Sequence, residues 1–185
     1  YFNENGELIR NLSNEEWINE GYSKSKFFYQ RDPEWVAKVK SINPSLDPWV
    51  HQACYLCVLS MVINNLGYTD VDPAILYLKN NEDTNIHQDI IKNNFNNEFS
   101  ETRIKDMSDD EYKHVLYDFL TGGNETGRNN ENKLYTQGVV IVYEKGKHYS
   151  LAVGAYRRSD STIVIMVNDP GMEGEEHFIN FEESY

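Results

Sequence analysis

Cys54 and Cys57, three residues apart in HQACYLCVLSMVINNLG, are the only thiols in the chain. Cys54 follows a loop and opens an apolar run, so its sulfur lies near backbone N–H groups and the positive end of a helix dipole, both of which lower a thiol pKa. Cys57 lies one turn further in, where a cysteine most often serves as a small buried hydrophobe. A thiol becomes a strong nucleophile when an imidazole can take its proton and a carboxylate holds that imidazole in one tautomer. His148 and Asp169 can be brought together for this by strand pairing. With Ser159 and Asp160 as the two residues of a hairpin loop, Arg158 pairs with Ser161 and Asp169 falls opposite Ser150, on the face that carries His148. Backbones roughly 7 to 8 Å apart on such a diagonal leave space for an imidazole and a carboxylate to meet. A slip of one residue would send them to opposite faces.

Each of these residues also has a plain structural use. His148 would serve equally as a strand-end histidine with its hydrogen bonds satisfied, and Asp169-Pro170 as an ordinary turn. The C-x-x-C pair would suit a thioredoxin-like dithiol, with Trp49 just upstream. That arrangement needs a strand leading into the motif, and Pro44 and Pro48 make INPSLDPWVHQA a poor one. A structural zinc would have to add His51 or His87 to the two cysteines, without a second cysteine pair. Two cysteines on one helix also make a poor staple and no disulfide framework.

The elements that must position these residues follow from their patterns. Residues 54 to 66 are apolar around most of the helical circumference, which predicts a central helix ended by Gly67. DVDPAILYLKNN predicts a second helix capped by Asp72 with Pro73 in its first turn, and IHQDIIKNNF and SDDEYKHVLYDFL a third and a fourth. Ser13 and Glu16 have capping-box spacing and Gly21 a stop, so residues 14 to 20 read as a short helix in an N-terminal extension. FFYQRDPEW suits a short extended segment turning into a loop, and SINPSLDPWV with its two prolines a loop. TGGNETGRNNENK has no hydrophobic pattern and reads as a flexible surface loop. GVVIVYE, HYSLAVGAY and TIVIMVND are β-branched or aromatic runs separated by turn residues. Helices followed by antiparallel strands make an α+β domain.

The bulk properties narrow the partners. At 185 residues the chain is long enough for one domain with a substantial core. A formal charge of -13, without clusters of Lys and Arg, argues against nucleic-acid backbones and anionic membranes. No apolar run approaches the length of a membrane span. The chain begins at Tyr1 without a signal peptide, which reads as an excised mature fragment.

Three separated pieces, QRDPEW, then CYLCVLSMVINNLG, then KHYSLAVGAY with VNDPG, together resemble the papain-like cysteine peptidases of the bacteriocin (double-glycine) leader-peptidase type, in particular its stand-alone bacterial members. Gln30, Cys54, Met61, Asn64, Gly67, His148, Tyr149, Asp169 and Pro170 fall in the order of that pattern, over residues 28 to 170. The resemblance implies a papain-like fold, with a helical lobe and its central nucleophile helix packed on an antiparallel sheet. Residues 1–27 would be an extension or linker and residues 28–185 the catalytic domain. It implies Cys54 as nucleophile, His148 as general base and then acid, Asp169 as the orienting residue, and Gln30 as an oxyanion donor. Gln52 is the other candidate donor, but it sits two residues before the nucleophile, too close to fold back over the same carbonyl. Tyr55 departs from the pattern, which has a small residue after the nucleophile. The expected activity is cleavage of a peptide or amide bond in a peptide or protein substrate through an acyl-enzyme, without cofactor or metal, outside or on the surface of a bacterial cell. The alternatives are a catalytically silent peptide-binding module of the same fold and a C-x-x-C thiol-disulfide oxidoreductase.

Overall fold

The computed structural model describes residues 26–46, 53–65, 67–82, 90, 94–95, 108–121, 140–144, 148–157, 160–172 and 177–179. Asp32-Pro33 does not lead into a loop as expected: it starts helix α1, Pro33–Ile42. The Asp32 carboxylate accepts from the Glu34 N–H at 2.8 Å, and Pro33 occupies a first-turn position where its missing N–H is no loss. Trp35 and Val39, four residues apart, bury one face of the helix. A single 3-10 turn, Pro44–Leu46, follows.

The central helix forms as its composition dictates. Helix α2, Cys54–Asn65, buries ten of its twelve residues, so it sits inside the molecule and presents only its ends. Gly67 closes it at φ +99°. Its N–H donates to the Asn64 carbonyl at 3.0 Å and the Tyr68 N–H to the Ile63 carbonyl at 3.2 Å, the paired bonds of a left-handed helix stop. Asn64 continues the brace, its Nδ2 donating to the Ser60 carbonyl at 2.7 Å and the Val71 carbonyl at 2.8 Å. Helix α3, Pro73–Lys79, starts as expected with the Asp72 carboxylate accepting from the Ile75 N–H. Helix α4, Asp109–Thr121, has a capping box at its start, in which Ser108 and Glu111 bond each other's backbone N–H groups.

Among the described residues, four strands form one antiparallel sheet in the order β1 (Val140–Glu144), β2 (His148–Arg157), β3 (Ile163–Asn168), β4 (His177–Ile179). The first three are the expected runs, and β4 was not foreseen. Helices pack on both faces of the sheet. On one, Leu151, Val153, Val164 and Met166 join the buried side chains of α1, α2 and α3. On the other, Ala152, Ala155, Ile163, Ile165 and Val167 meet Leu116 of α4. The result is a mixed α+β arrangement in three layers, held by strict side-chain alternation along β3.

The expected helices at 14–20 and 86–95 and the expected loop at 121–133 lie outside the described residues except Ile90, Asn94, Phe95 and Thr121. Ile90 and Phe95 belong to the same core as α2. Among the described residues no helix is long and apolar enough to cross a membrane.

Because the helix stop requires a left-handed residue, Gly67→Ala should destabilise the fold by about 1 to 2 kcal/mol, read as a lower urea midpoint with an unchanged slope. An unaltered midpoint would mean that this turn does not depend on glycine.

Candidate active site

The site begins with the register of β2 on β3. At the turn end Arg157 faces Ile163, where a two-residue loop would set it opposite Thr162. The expected Ser159-Asp160 loop is therefore too short by one residue. Asp160 accepts from the Thr162 N–H at 2.9 Å, and Ser161 takes φ +73°, a left-handed position that accommodates the longer turn. The extra residue is recovered further along, because the register shifts between Ala152 and Gly154, with Val153 as a β-bulge. Past the bulge Leu151 faces Asn168. Extending that register places Asp169 opposite Ser150, the position counted from the sequence, and its carboxylate meets His148.

His148 opens β2 and Asp169 follows β3 directly. The Asp169 Oδ1 and the His148 Nε2 share a hydrogen bond, which leaves Nδ1 as the ring nitrogen for Cys54. The hydrogen bond with Asp169 pushes the His148 imidazole up to about 10; the bond with Cys54 adds to this, and burial opposes it. For Cys54, burial acts first and raises the thiol. The hydrogen bond from His148 and the backbone hydrogen bonds of Tyr149 and Tyr55 outweigh that burial, leaving the thiol below its ordinary value. A thiolate beside an imidazolium is the state these two shifts favour.

The pH window follows from the signs. The contribution of His148⁺ to stability is fully present below its unfolded pKa of 6.5 and is lost as pH rises through about 10. The contribution of the Cys54 thiolate is lost as pH falls through its lowered pKa. The ion pair is therefore held between those limits.

Cys57 has a different environment. It is fully buried in the core of α2, and burial pushes its thiol well up, so it keeps its proton across the neutral range. His51, His87 and Trp49, on which the zinc and thioredoxin-like readings drew, lie outside the described residues, as does Gln52. Among the described residues no three His, Cys, Asp or Glu side chains converge as a metal cluster would.

Gln30 is buried, in the turn that precedes α1. The Tyr29 carbonyl accepts from the Asp32 N–H at 3.1 Å and from the Trp35 Nε1–H at 2.8 Å, so the Trp of QRDPEW anchors the turn that displays the glutamine. The Gln30 N–H donates to the Pro170 carbonyl at 2.9 Å, which joins the segment before α1 to the residue next to Asp169. Cys54, His148 and Asp169 thus share one hydrogen-bonded chain, and Gln30 is tied by its backbone to the turn at the far end of it.

Tyr55 and Tyr149, the residues after Cys54 and His148, pack with ring centroids 4.7 Å apart and planes tilted by 45°, and Tyr149 packs on Tyr143 at 4.6 Å and 44°. Tyr55 is accommodated by leaning on this row. Two features of the site were not read from the sequence: the Tyr149 backbone donor to Cys54, and Gly171, whose N–H donates to Asp169 Oδ1 at 2.7 Å. The glycine stands in VNDPG, but no side chain signals a backbone donor.

These shifts predict that iodoacetamide labels Cys54 rapidly and alone at pH values well below the 8.5 or so of an ordinary thiol, and that His148→Ala moves the labelling limb upward. Peptide-mapped alkylation between pH 4 and 9 checks this. Equal labelling of Cys54 and Cys57, indifferent to His148, would contradict the ion pair. Compared with protein-family models, with curated proteins and with solved structures, the chain matches none of them.

Proposed function

We propose that this protein is a cysteine peptidase-like hydrolase of papain-like fold, acting on a peptide or amide bond with Cys54, His148 and Asp169 as its triad. The observation that carries this reading is the hydrogen-bonded chain from the Cys54 thiol through His148 to Asp169, in which the thiol is lowered and the imidazole raised. The Cys54 thiolate attacks the carbonyl carbon, forming a C–S bond and moving the carbonyl π electrons to oxygen. The backbone N–H of Cys54, in the positively polarised first turn of α2, and the side-chain amide of Gln30 are the donors assigned to that oxygen. His148 gives its proton to the departing amine as the C–N bond breaks, leaving a thioester. It then takes a proton from water, whose oxygen attacks the thioester and returns Cys54 as thiolate and the product as an acid. Asp169 keeps the ring in place and supports its positive charge throughout.

The resemblance in QRDPEW, CYLCVLSMVINNLG and VNDPG supports the same family, and the ordering of helical elements before an antiparallel sheet is compatible with its fold. A site of action outside or on the surface of a bacterial cell is part of the same proposal, and its support is the resemblance. The buried, proton-retaining Cys57 weighs against a dithiol reaction, which would need both sulfurs to exchange electrons with a partner. A silent binding module has no use for a thiol held below its ordinary pKa.

Turnover of a mixed peptide library, followed by mass spectrometry, tests the proposal. Wild type should cleave and Cys54→Ala should not; equal peptide binding with no turnover in either would favour the binding module. Cys57→Ser should retain cleavage, whereas a redox enzyme would lose its activity as completely as with Cys54→Ser. His148→Ala should abolish acylation. Asp169→Asn should lower kcat by up to about 10,000-fold yet stay above the Cys54→Ala background, and wild-type rates in both would remove the triad assignment.

A further inference from the structure

Asp169, Pro170, Gly171 and Met172 form a β-turn, closed by the Met172 N–H donating to the Asp169 carbonyl at 3.1 Å. Pro170 occupies the second position, where its fixed φ is suited. Gly171 occupies the third and does not have a positive φ. The backbone therefore makes no demand for glycine here, since other residues adopt this conformation without strain.

The demand comes from the neighbours. A Cβ on residue 171 would lie 3.1 Å from Asp169 Oδ1, 3.1 Å from His148 Cε1 and 3.3 Å from His148 Nε2. Unstrained carbon contacts lie near 3.5 to 4.0 Å, so a methyl group would press on both partners of the His148–Asp169 bond at once. On the same residue, the N–H donates at 2.7 Å to the Asp169 oxygen that His148 engages. This is an Asx-turn, which prevents the carboxylate from rotating about its χ2 axis. The same turn offers the Pro170 carbonyl to the Gln30 N–H, so a displacement of the turn would also be felt at Gln30.

We infer that Gly171 is a positioning residue of the site: its N–H fixes the Asp169 carboxylate oxygen that holds His148 Nε2, and its missing side chain leaves the space occupied by the edge of the imidazole. Hydrogen gives way to methyl at little conformational cost, so the consequence falls on the alignment of the ring. Misplacements on the order of half an ångström to one ångström lower catalysis by roughly 10- to 100-fold. The part of this inference that concerns catalysis rests on the hydrolase reading, whereas the part that concerns the alignment of His148 does not.

The test compares wild type, Gly171→Ala and, as a control on the same turn, Met172→Ala, whose side chain is half exposed. Three quantities are measured: the pH profile of Cys54 alkylation by iodoacetamide, the His148 ring titration by NMR, and the thermal midpoint. For Gly171→Ala we expect the alkylation limb to move up by a pH unit or more and the His148 titration to move down from about 10, with a midpoint close to wild type. Met172→Ala should follow wild type in both profiles. Wild-type profiles in Gly171→Ala would overturn the inference. Should that variant fail to fold, wild type alone still decides, because the Gly171 amide resonance must move with the His148 titration, and a stationary resonance would overturn the inference. Shifted profiles in Gly171→Ala, together with a wild type that cleaves no peptide, would uphold the positioning role and remove the hydrolase reading. Ordinary Cys54 and His148 titrations in the wild type would remove both.

Discussion

Asp169 can serve His148 because β2 and β3 hold one register at the end of the sheet where β2 begins and β3 stops. Alternation has a period of two, so a slip of one residue would turn the carboxylate to the opposite face and leave the imidazole without its partner. The turn between the strands is one residue longer than the register at the site would allow. Val153 absorbs the difference as a bulge, and the bulge lies between the two cores, where Leu151 and Val153 face α2 while Ala152 and Ala155 face α4. Apolar packing on both faces penalises any other pairing. The layers therefore set the geometry of Cys54, His148 and Asp169 as directly as those residues do.

Helix α2 carries the opposing constraint. A helix this deeply buried would raise any thiol on it, and Cys57 shows that outcome. Cys54 escapes because it is the first residue of the helix. There it meets His148 across from the sheet, together with the Tyr149 and Tyr55 backbone donors. Two thiols three residues apart thus differ in chemistry because Cys54 meets the imidazole and the backbone donors, whereas burial dominates at Cys57. The contrast leaves one cysteine in the core and one in the hydrogen-bonded chain with His148 and Asp169.

The turn Asp169–Met172 collects the remaining connections. Its first residue holds the histidine, its second accepts from Gln30, and its third bonds the carboxylate while leaving room for the ring. Trp35 fixes the Tyr29 carbonyl and with it the segment that carries Gln30. Short-range hydrogen bonds at two small turns therefore join parts of the chain more than a hundred residues apart.

Much of this was legible in residue order. The apolar circumference of residues 54–66, the Gly67 stop, the Asp72-Pro73 start and the three β-branched runs are local signals, each with its own physical cause, and the structure forms them all as far as the described residues reach. Asp32-Pro33 carries the same start signal as Asp72-Pro73, but a cap also suits a turn into a loop, and the choice rests on Trp35 and Val39 finding a core to enter. The pairing of His148 with Asp169 could be counted from a two-residue loop, yet the loop is longer, and the count holds because a bulge elsewhere compensates for it. Strand β4, the placement of α4 on the far face of the sheet and the space at Gly171 have no local signature. By itself the sequence determined helix α2 with its Gly67 stop, the start of α3 and the first three strands, since propensity, capping and alternation act over a few residues. Only the tertiary structure decided the register and where a side chain must be missing, since those depend on packing between segments that the chain brings together only when folded.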